Sequence, residues 1–207
     1  MSILFATPCY GGMMTLQHHQ SCMKLKEELL KLGVEHDWLH GRNESLIQRA
    51  RCEMTASFLG TGHSHLMWLD ADIEFEPEDV AKIWNMDADI AVGCYAMKKR
   101  DKQWFAAWKD GALVKDLDQF DGPIDVDFAG TGFMMIRREV IEALAAKHPS
   151  YEGPDGRVPA LFMTPIHNDG LESEDYHFCR IAREAGFKVM MDPSVRLKHW
   201  GQYAFGA

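Results

Sequence analysis

The sequence predicts an α/β domain with a central mixed, mainly parallel sheet flanked by helices, and three observations predict it. Short apolar runs alternate with longer amphipathic segments through the first third of the chain, which is the pattern of parallel strands joined by covering helices. Shorter strand-like runs follow each other without intervening helices in the second half, which makes the sheet mixed. Apolar residues make up 46% and charged residues 26% of 207 residues, a composition suited to one well-buried soluble domain spanning the chain.

The first strand is Ser2 to Thr7, released by the turn-forming Pro8-Cys9-Tyr10-Gly11-Gly12 into a helix over Thr15 to Leu32. Leu16, Met23, Leu29 and Leu30 mark the apolar side of that helix, and Gly33 ends it. A second strand, Val34 to Leu39, precedes a helix over Ser45 to Leu59 with the stripe Leu46, Ile47, Ala50, Met54 and Phe58. His65 to Leu69 is the third strand. Short strands are expected around Ile90 to Cys94, Phe105 to Trp108, Ile124 to Phe128 and Phe133 to Ile136, then a helix over Glu139 to Lys147. His148 to Gly170 carries too many prolines and glycines for a regular element and reads as a long binding loop or lid. The last helix, Glu174 to Ala185, has Ser173 as N-cap and Gly186 as its stop.

With 22 basic and 31 acidic residues the net charge is −9, which disfavours loose binding to nucleic acid or anionic lipid. The five cysteines are widely spaced without a C-x-x-C pair, so neither a disulfide framework nor a zinc site is indicated and a reducing cytoplasm fits. No apolar run approaches the roughly 20 residues of a membrane helix. The short run Ile3 to Ala6, broken by Pro8, Gly11 and Gly12, reads as a buried strand rather than an export signal.

Ligands of such sheets sit at the carboxyl ends of the strands, and Asp70-Ala71-Asp72 follows the third strand directly. Carboxylates two apart in an extended segment share a side, and their repulsion is relieved by a cation. Hard oxygen donors suit Mg²⁺ or Mn²⁺. A solvated acidic strand end is the alternative.

The run LMWLDADIEFEPEDV resembles the strand, metal loop and following segment of GT-A nucleotide-sugar glycosyltransferases. FATPCYGG resembles their first strand and nucleotide loop, IQRARCEMTASFL the helix that usually reads A-R-N, and DIAVGCYAMK the next strand. DFAGTGFMMIRREVIEAL resembles the acceptor-side segment, and SEDYHFCRIAREAGFKVMMDPSVRLKHWG the closing E-D helix and late histidine. The likeness runs in chain order from about Ile3 to Gly201, nearest to small inverting family-two-like enzymes, some virus-encoded. It departs at Cys52, where the family has Asn, and it lacks the Q-x-x-R-W signature of polysaccharide synthases, which favours transfer of a single sugar.

The resemblance implies a GT-A domain transferring a sugar from a nucleotide-sugar, a UDP-sugar, to the hydroxyl of a glycan or other acceptor with Mn²⁺ or Mg²⁺, in a cell or virus-host cytoplasm. Asp70, Asp72 and His199 would hold the metal. Tyr10 and the backbone of Thr7, Pro8 and Cys9 would hold the base, a tyrosine ring being suited to stacking. Arg51, Asp70 and Ala71 would face the nucleotide, and Gly130, Thr131 and Gly132 would admit the sugar closely. Asp175 would be the general base with Glu174 beside it, and Glu172 a reserve for gripping hydroxyls. Lys98, Lys99 and Arg100 form a basic run, either over the diphosphate or solvated, and Arg49 reads as a solvated or ion-paired residue. His18, His19, His63, His65, His167 and His177 show no ligand pattern, so zinc is not expected.

Rival readings are a non-catalytic nucleotide- or carbohydrate-binding domain and a metal-dependent phosphatase of the haloacid dehalogenase type. In the phosphatase type, however, D-x-D follows the first strand and continues with Thr or Val, whereas here Ile73 follows. A pyrophosphorylase would need a Gly-rich basic first loop, and TPCYGGMM has no basic residue.

Overall fold

The computed structural model describes residues 2–42, 44–99, 105–201 and 204–205. Its core is a sheet of nine strands among the described residues. Six strands build its body: β1 (Ser2–Cys9), β2 (Glu35–Arg42), β3 (His65–Leu69), β4 (Ile90–Tyr95), β5 (Phe133–Arg137) and β6 (Val189–Trp200), in the order β6-β4-β5-β3-β1-β2. β1 is parallel to both β2 and β3, and β6 is parallel to β4. Only β5 runs against its neighbours within this body. The sheet is therefore mixed and mainly parallel, as the alternation predicts. Short strands at Ile73–Glu74, Ile124–Asp125 and Ala204–Phe205 pair with β6.

Burial explains the continuous apolar runs. β1, β3, β4 and β5 are covered on both faces, so their inward positions alternate between two cores rather than between core and water. Leu4, Leu66, Trp68, Val92 and Met134 face one side, packed by α2 (Ile47–Leu59), α4 (Arg138–Ala145) and α5 (Glu174–Glu184). Phe5, Met67, Leu69, Ala91 and Met135 face the other, packed by α1 (Leu16–Leu32) and α3 (Pro77–Asn85). No described helix is long and apolar enough to cross a membrane.

Several boundaries hold closely. Thr15 caps α1 by accepting from the His18 N–H, and Gly33 ends it in the left-handed region at φ 65°. Four details differ from the sequence reading. The buried face of α1 is His18, Ser21, Cys22, Leu25 and Leu29, while Leu16, Met23 and Leu30 face solvent. In α2, Ala50, Met54 and Phe58 are buried, but Leu46, which precedes the helix, and Ile47, at the mouth of a cleft, remain exposed. The expected strand over Ile124 to Phe128 is two short strands, the second (Phe128–Ala129) pairing with Ala107–Lys109. The expected loop His148 to Gly170 contains a hairpin, Ser150–Gly153 with Gly156–Pro159, and the first strand of another, Ile166–His167 with Gly170–Leu171. Asn168 and Asp169 both have positive φ, 49° and 61°, which is the backbone of a two-residue hairpin turn. A further helix, α3, has no counterpart in the sequence reading, although Pro77 at its start and Val80 and Ile83 on one face signal it.

Candidate active site

The site arises where neighbouring strands part. β1 stays paired with β2 as far as Cys9 opposite Arg42, but its pairing with β3 ends at Ala6 opposite Trp68. The β3-side edge of Thr7 to Cys9 is thus without a strand partner among the described residues, at the carboxyl ends where open α/β sheets take ligands. A cavity of about 390 Å³ opens there, lined by Pro8, Tyr10, Met13, Met14, Thr15, Ile47, Asp70, Ala71 and Asp72. Tyr10 is 72% exposed in a short turn, so its ring face is available. Thr7 and Cys9 are buried, and between them Pro8 lines the cavity.

Asp70-Ala71-Asp72 is a turn, not the extended segment expected, because the Ile73 N–H donates back to the Asp70 carbonyl at 3.0 Å. Its backbone is tied on three sides. Asp70 N–H donates to Gly132 O at 2.9 Å, Thr15 N–H to Ala71 O at 2.9 Å, and Trp200 N–H to Asp72 O at 2.8 Å. The two carboxylates consequently diverge. Asp70 accepts from Arg51 Nη2 at 2.8 and 3.1 Å. Asp72 lies 3.4 Å from His199 Nε2 and accepts from Lys98 Nζ. Burial pushes the Asp72 carboxyl up, but its bonds to His199 and Lys98 outweigh that and bring it down to about 2.

Arg51 is 2% exposed and does not line the cavity. Its guanidinium lies 5.2 Å over the Trp68 ring and reaches from Asp70 to Glu174, 3.6 Å from Nε. Helix geometry turns Arg49, two residues earlier, away to pair with Glu44 at 2.6 Å. Arg51 thus joins the Asp70 turn to the start of α5, a role that a nucleotide contact would not have suggested.

α5 is seated by Tyr176, which stacks on Phe128 at 5.3 Å, and by the Cys179 thiol, which donates to Ala129 O. This seating sets Asp175 near Arg51 and Tyr95. Its Oδ1 accepts from Ser173 Oγ and from the Tyr176 N–H at 2.8 Å, and no described residue donates to Oδ2. Ser173 caps α5 without a side-chain bond to the helix backbone, its hydroxyl being spent on Asp175. Burial, then the neighbouring Glu174 charge, raise the Asp175 carboxyl to about 6.

Tyr95, at the end of β4, is a residue the sequence leaves unread. Its hydroxyl accepts from Gly132 N–H at 3.1 Å, and burial, then the Asp70 and Asp175 carboxylates, push its phenol well above the ordinary value. A Cβ at Gly130 would lie 2.0 Å from that hydroxyl, and one at Gly132 would lie 3.0 Å from it. Packing against Tyr95 therefore demands glycine at Gly130 and leaves a side chain at Gly132 tight, with Thr131 buried between them. Glu172 is drawn outward into a pair with Arg180 at 2.9 Å and a contact with His177 at 3.2 Å. The Lys99 N–H donates to Met97 O, and Arg100 lies outside the described residues.

The donors suit a hard divalent cation. The Nδ1–H of His199 donates to Ala96 O at 3.0 Å, which fixes the ring and turns Nε2 toward Asp72. Carboxylate oxygen suits Mn²⁺ or Mg²⁺, and the imidazole nitrogen beside it favours Mn²⁺ of the two. Among the described residues no three acidic, His or Cys side chains close into a cation cage, because Arg51 holds Asp70 and Lys98 holds Asp72.

No protein-family model and no curated protein matches this sequence. Solved structures match by shape. A197 from STIV aligns with a TM-score of 0.63 and 20% identity, covering 97% of this chain and 86% of its own. GalNAc-T7, solved with UDP, GalNAc and Mn²⁺, aligns with a TM-score of 0.55 and 11% identity, covering 96% of this chain but 43% of its own. At such identities the likeness is one of fold, and the fold is GT-A-like, as the sequence resemblance implied.

Proposed function

We propose that this chain is a metal-dependent glycosyltransferase moving one sugar from a UDP-sugar to an acceptor hydroxyl with inversion. The observation that carries the reading is that Asp72 lines the cleft where β1 and β3 part and stands 3.4 Å from His199 Nε2, while no described residue donates to Asp175 Oδ2. The GT-A-like fold supports it. Tyr10 offers a ring to the base, the open edge of Thr7 to Cys9 offers amides and carbonyls, and the Asp70-Ala71-Asp72 turn faces the diphosphate. Gly130-Thr131-Gly132 and Asp175 stand on the sugar and acceptor side.

Asp72 and His199, with Asp70 beside them, would hold Mn²⁺ or Mg²⁺, which when bound neutralises charge on the leaving diphosphate. Lys98 pairs with Asp72 and would compete with that ion for its carboxylate. Asp175 Oδ2 takes the proton of the acceptor hydroxyl as its oxygen forms the new bond to the anomeric carbon. The bond from that carbon to the diphosphate breaks on the opposite face, and its electron pair leaves with UDP. A carboxyl near 6 is ionised at neutral pH yet more basic than an ordinary one, which suits this task. Glu174 is spent on Arg51 and orients rather than reacts. The five free cysteines are buried and suit a reducing cytoplasm.

The test is UDP release from a panel of UDP-sugars with Mn²⁺ and candidate acceptors, followed by NMR of the product's anomeric configuration. Transfer with inversion supports the reading. Phosphate release in place of UDP, or retention of configuration, contradicts it.

A further inference from the structure

We infer that the buried face of α1 is a positioning device for the Asp70-Ala71-Asp72 turn, with His18 as its central residue. The inference rests on the reading of Asp72 and His199 as cation ligands. A covering helix ordinarily buries aliphatic side chains, yet the first two turns of α1 bury His18, Ser21 and Cys22 and leave Leu16 and Met23 in solvent. The polar groups have one common target. Thr15 donates from its N–H and Oγ1 to Ala71 O at 2.9 and 3.3 Å, His18 Nδ1–H donates to Ile73 O at 3.0 Å, and Ser21 Oγ accepts from Phe75 N–H at 3.0 Å. Every third residue of the helix thus meets every second residue of the segment that carries Asp72.

The other edge of that segment is β6, where His199 pairs with Ile73 and Trp200 N–H donates to Asp72 O. Ile73 is therefore held by His18 through its carbonyl on one edge and lies opposite His199 on the other, next in the chain to Asp72. His18 is fully buried and both its nitrogens are committed, because the Cys22 thiol donates to Nε2 at 3.3 Å while Nδ1 serves Ile73. Two bonds of opposite sense fix one tautomer, so the ring cannot rotate without orphaning a buried group. Burial lowers the ring's pKa, which disfavours the imidazolium. His18 acts through Ile73 on where Asp72 and His199 stand, as outer groups do for metal ligands.

The test measures Mn²⁺ affinity in the presence of UDP by calorimetry, alongside the melting temperature of each variant. His18→Leu keeps the volume but loses the donor, and its Mn²⁺ affinity should fall about tenfold. His18→Asn sets an amide N–H where Nδ1 stands and should recover most of that loss, whereas His18→Gln, which mimics Nε2, should not. Ser21→Ala, a milder lesion, should weaken Mn²⁺ about threefold and serves if His18→Leu fails to fold. Wild-type Mn²⁺ affinity in folded His18→Leu or in Ser21→Ala, or Asn no better than Gln, overturns the device. Absence of Mn²⁺ binding by the wild type instead overturns the ligand reading on which it stands.

Discussion

Replacing Asp175 by Asn should make the protein more stable at alkaline pH while nearly abolishing turnover. The carboxyl is raised from 3.8 to about 6 by burial and by Glu174, so its ionised form is disfavoured in the folded state. Between those two values the folded chain binds more protons than the unfolded one, and stability falls as pH rises through the window. At about 1.4 kcal/mol for each pH unit, the full cost approaches about 3 kcal/mol, and solvent screening leaves roughly 1 to 3 kcal/mol. Asn removes the cost while its Oδ1 still accepts from Ser173 and the Tyr176 N–H. Urea denaturation of both proteins at pH 8 and pH 4 measures the difference. The variant should be more stable at pH 8, with the advantage shrinking toward zero at pH 4, and UDP release should fall about 10²- to 10⁴-fold. The same ionisation gives wild-type turnover an acid limb near pH 6. A variant destabilised equally at both pH values, or one that turns over normally, refutes the reasoning.

Arg51→Met leaves Asp70 and Glu174 without their buried counter-charge and should cost about 3 kcal/mol, the lower end for a broken buried pair because Asp70 is 29% exposed; thermal denaturation reads it. Lys98→Ala frees one oxygen of Asp72 and should strengthen Mn²⁺ binding without nucleotide about two- to fivefold, the scale of a part-exposed ion pair, as seen by calorimetry. Gly130→Ala drives a Cβ into the Tyr95 hydroxyl and should cost roughly 1 to 3 kcal/mol. Adding Tyr95→Phe to it should recover part of that cost, which a double-mutant cycle by urea denaturation measures.

Much of the fold was legible because the strands buried on both faces read as apolar runs and because Gly33 and Gly186 punctuate the helices that precede them. The position of the Asp70-Ala71-Asp72 turn after β3 was equally plain. What the sequence hid was hidden by polar chemistry. The face of α1 was misassigned because hydrophobic periodicity cannot recognise a helix that buries His18 and Ser21 to hold a backbone. Asn168-Asp169 makes a two-residue hairpin turn without glycine, so the segment around it passed for loop. Arg51 matched a familiar pattern, but only the tertiary structure shows its charge divided between Asp70 and Glu174. Tyr95 carries no local signal at all, since its importance lies in two glycines more than thirty residues away.

The claim that this cleft takes a nucleotide diphosphate through a cation held by Asp72 is tested most directly by calorimetry of UDP binding to the wild type and to Asp72→Ala, each with and without Mn²⁺. The account predicts that Mn²⁺ tightens UDP binding to the wild type by at least tenfold and that Asp72→Ala loses this gain while remaining folded. Equal UDP affinity with and without Mn²⁺, or an undiminished gain in Asp72→Ala, would contradict it.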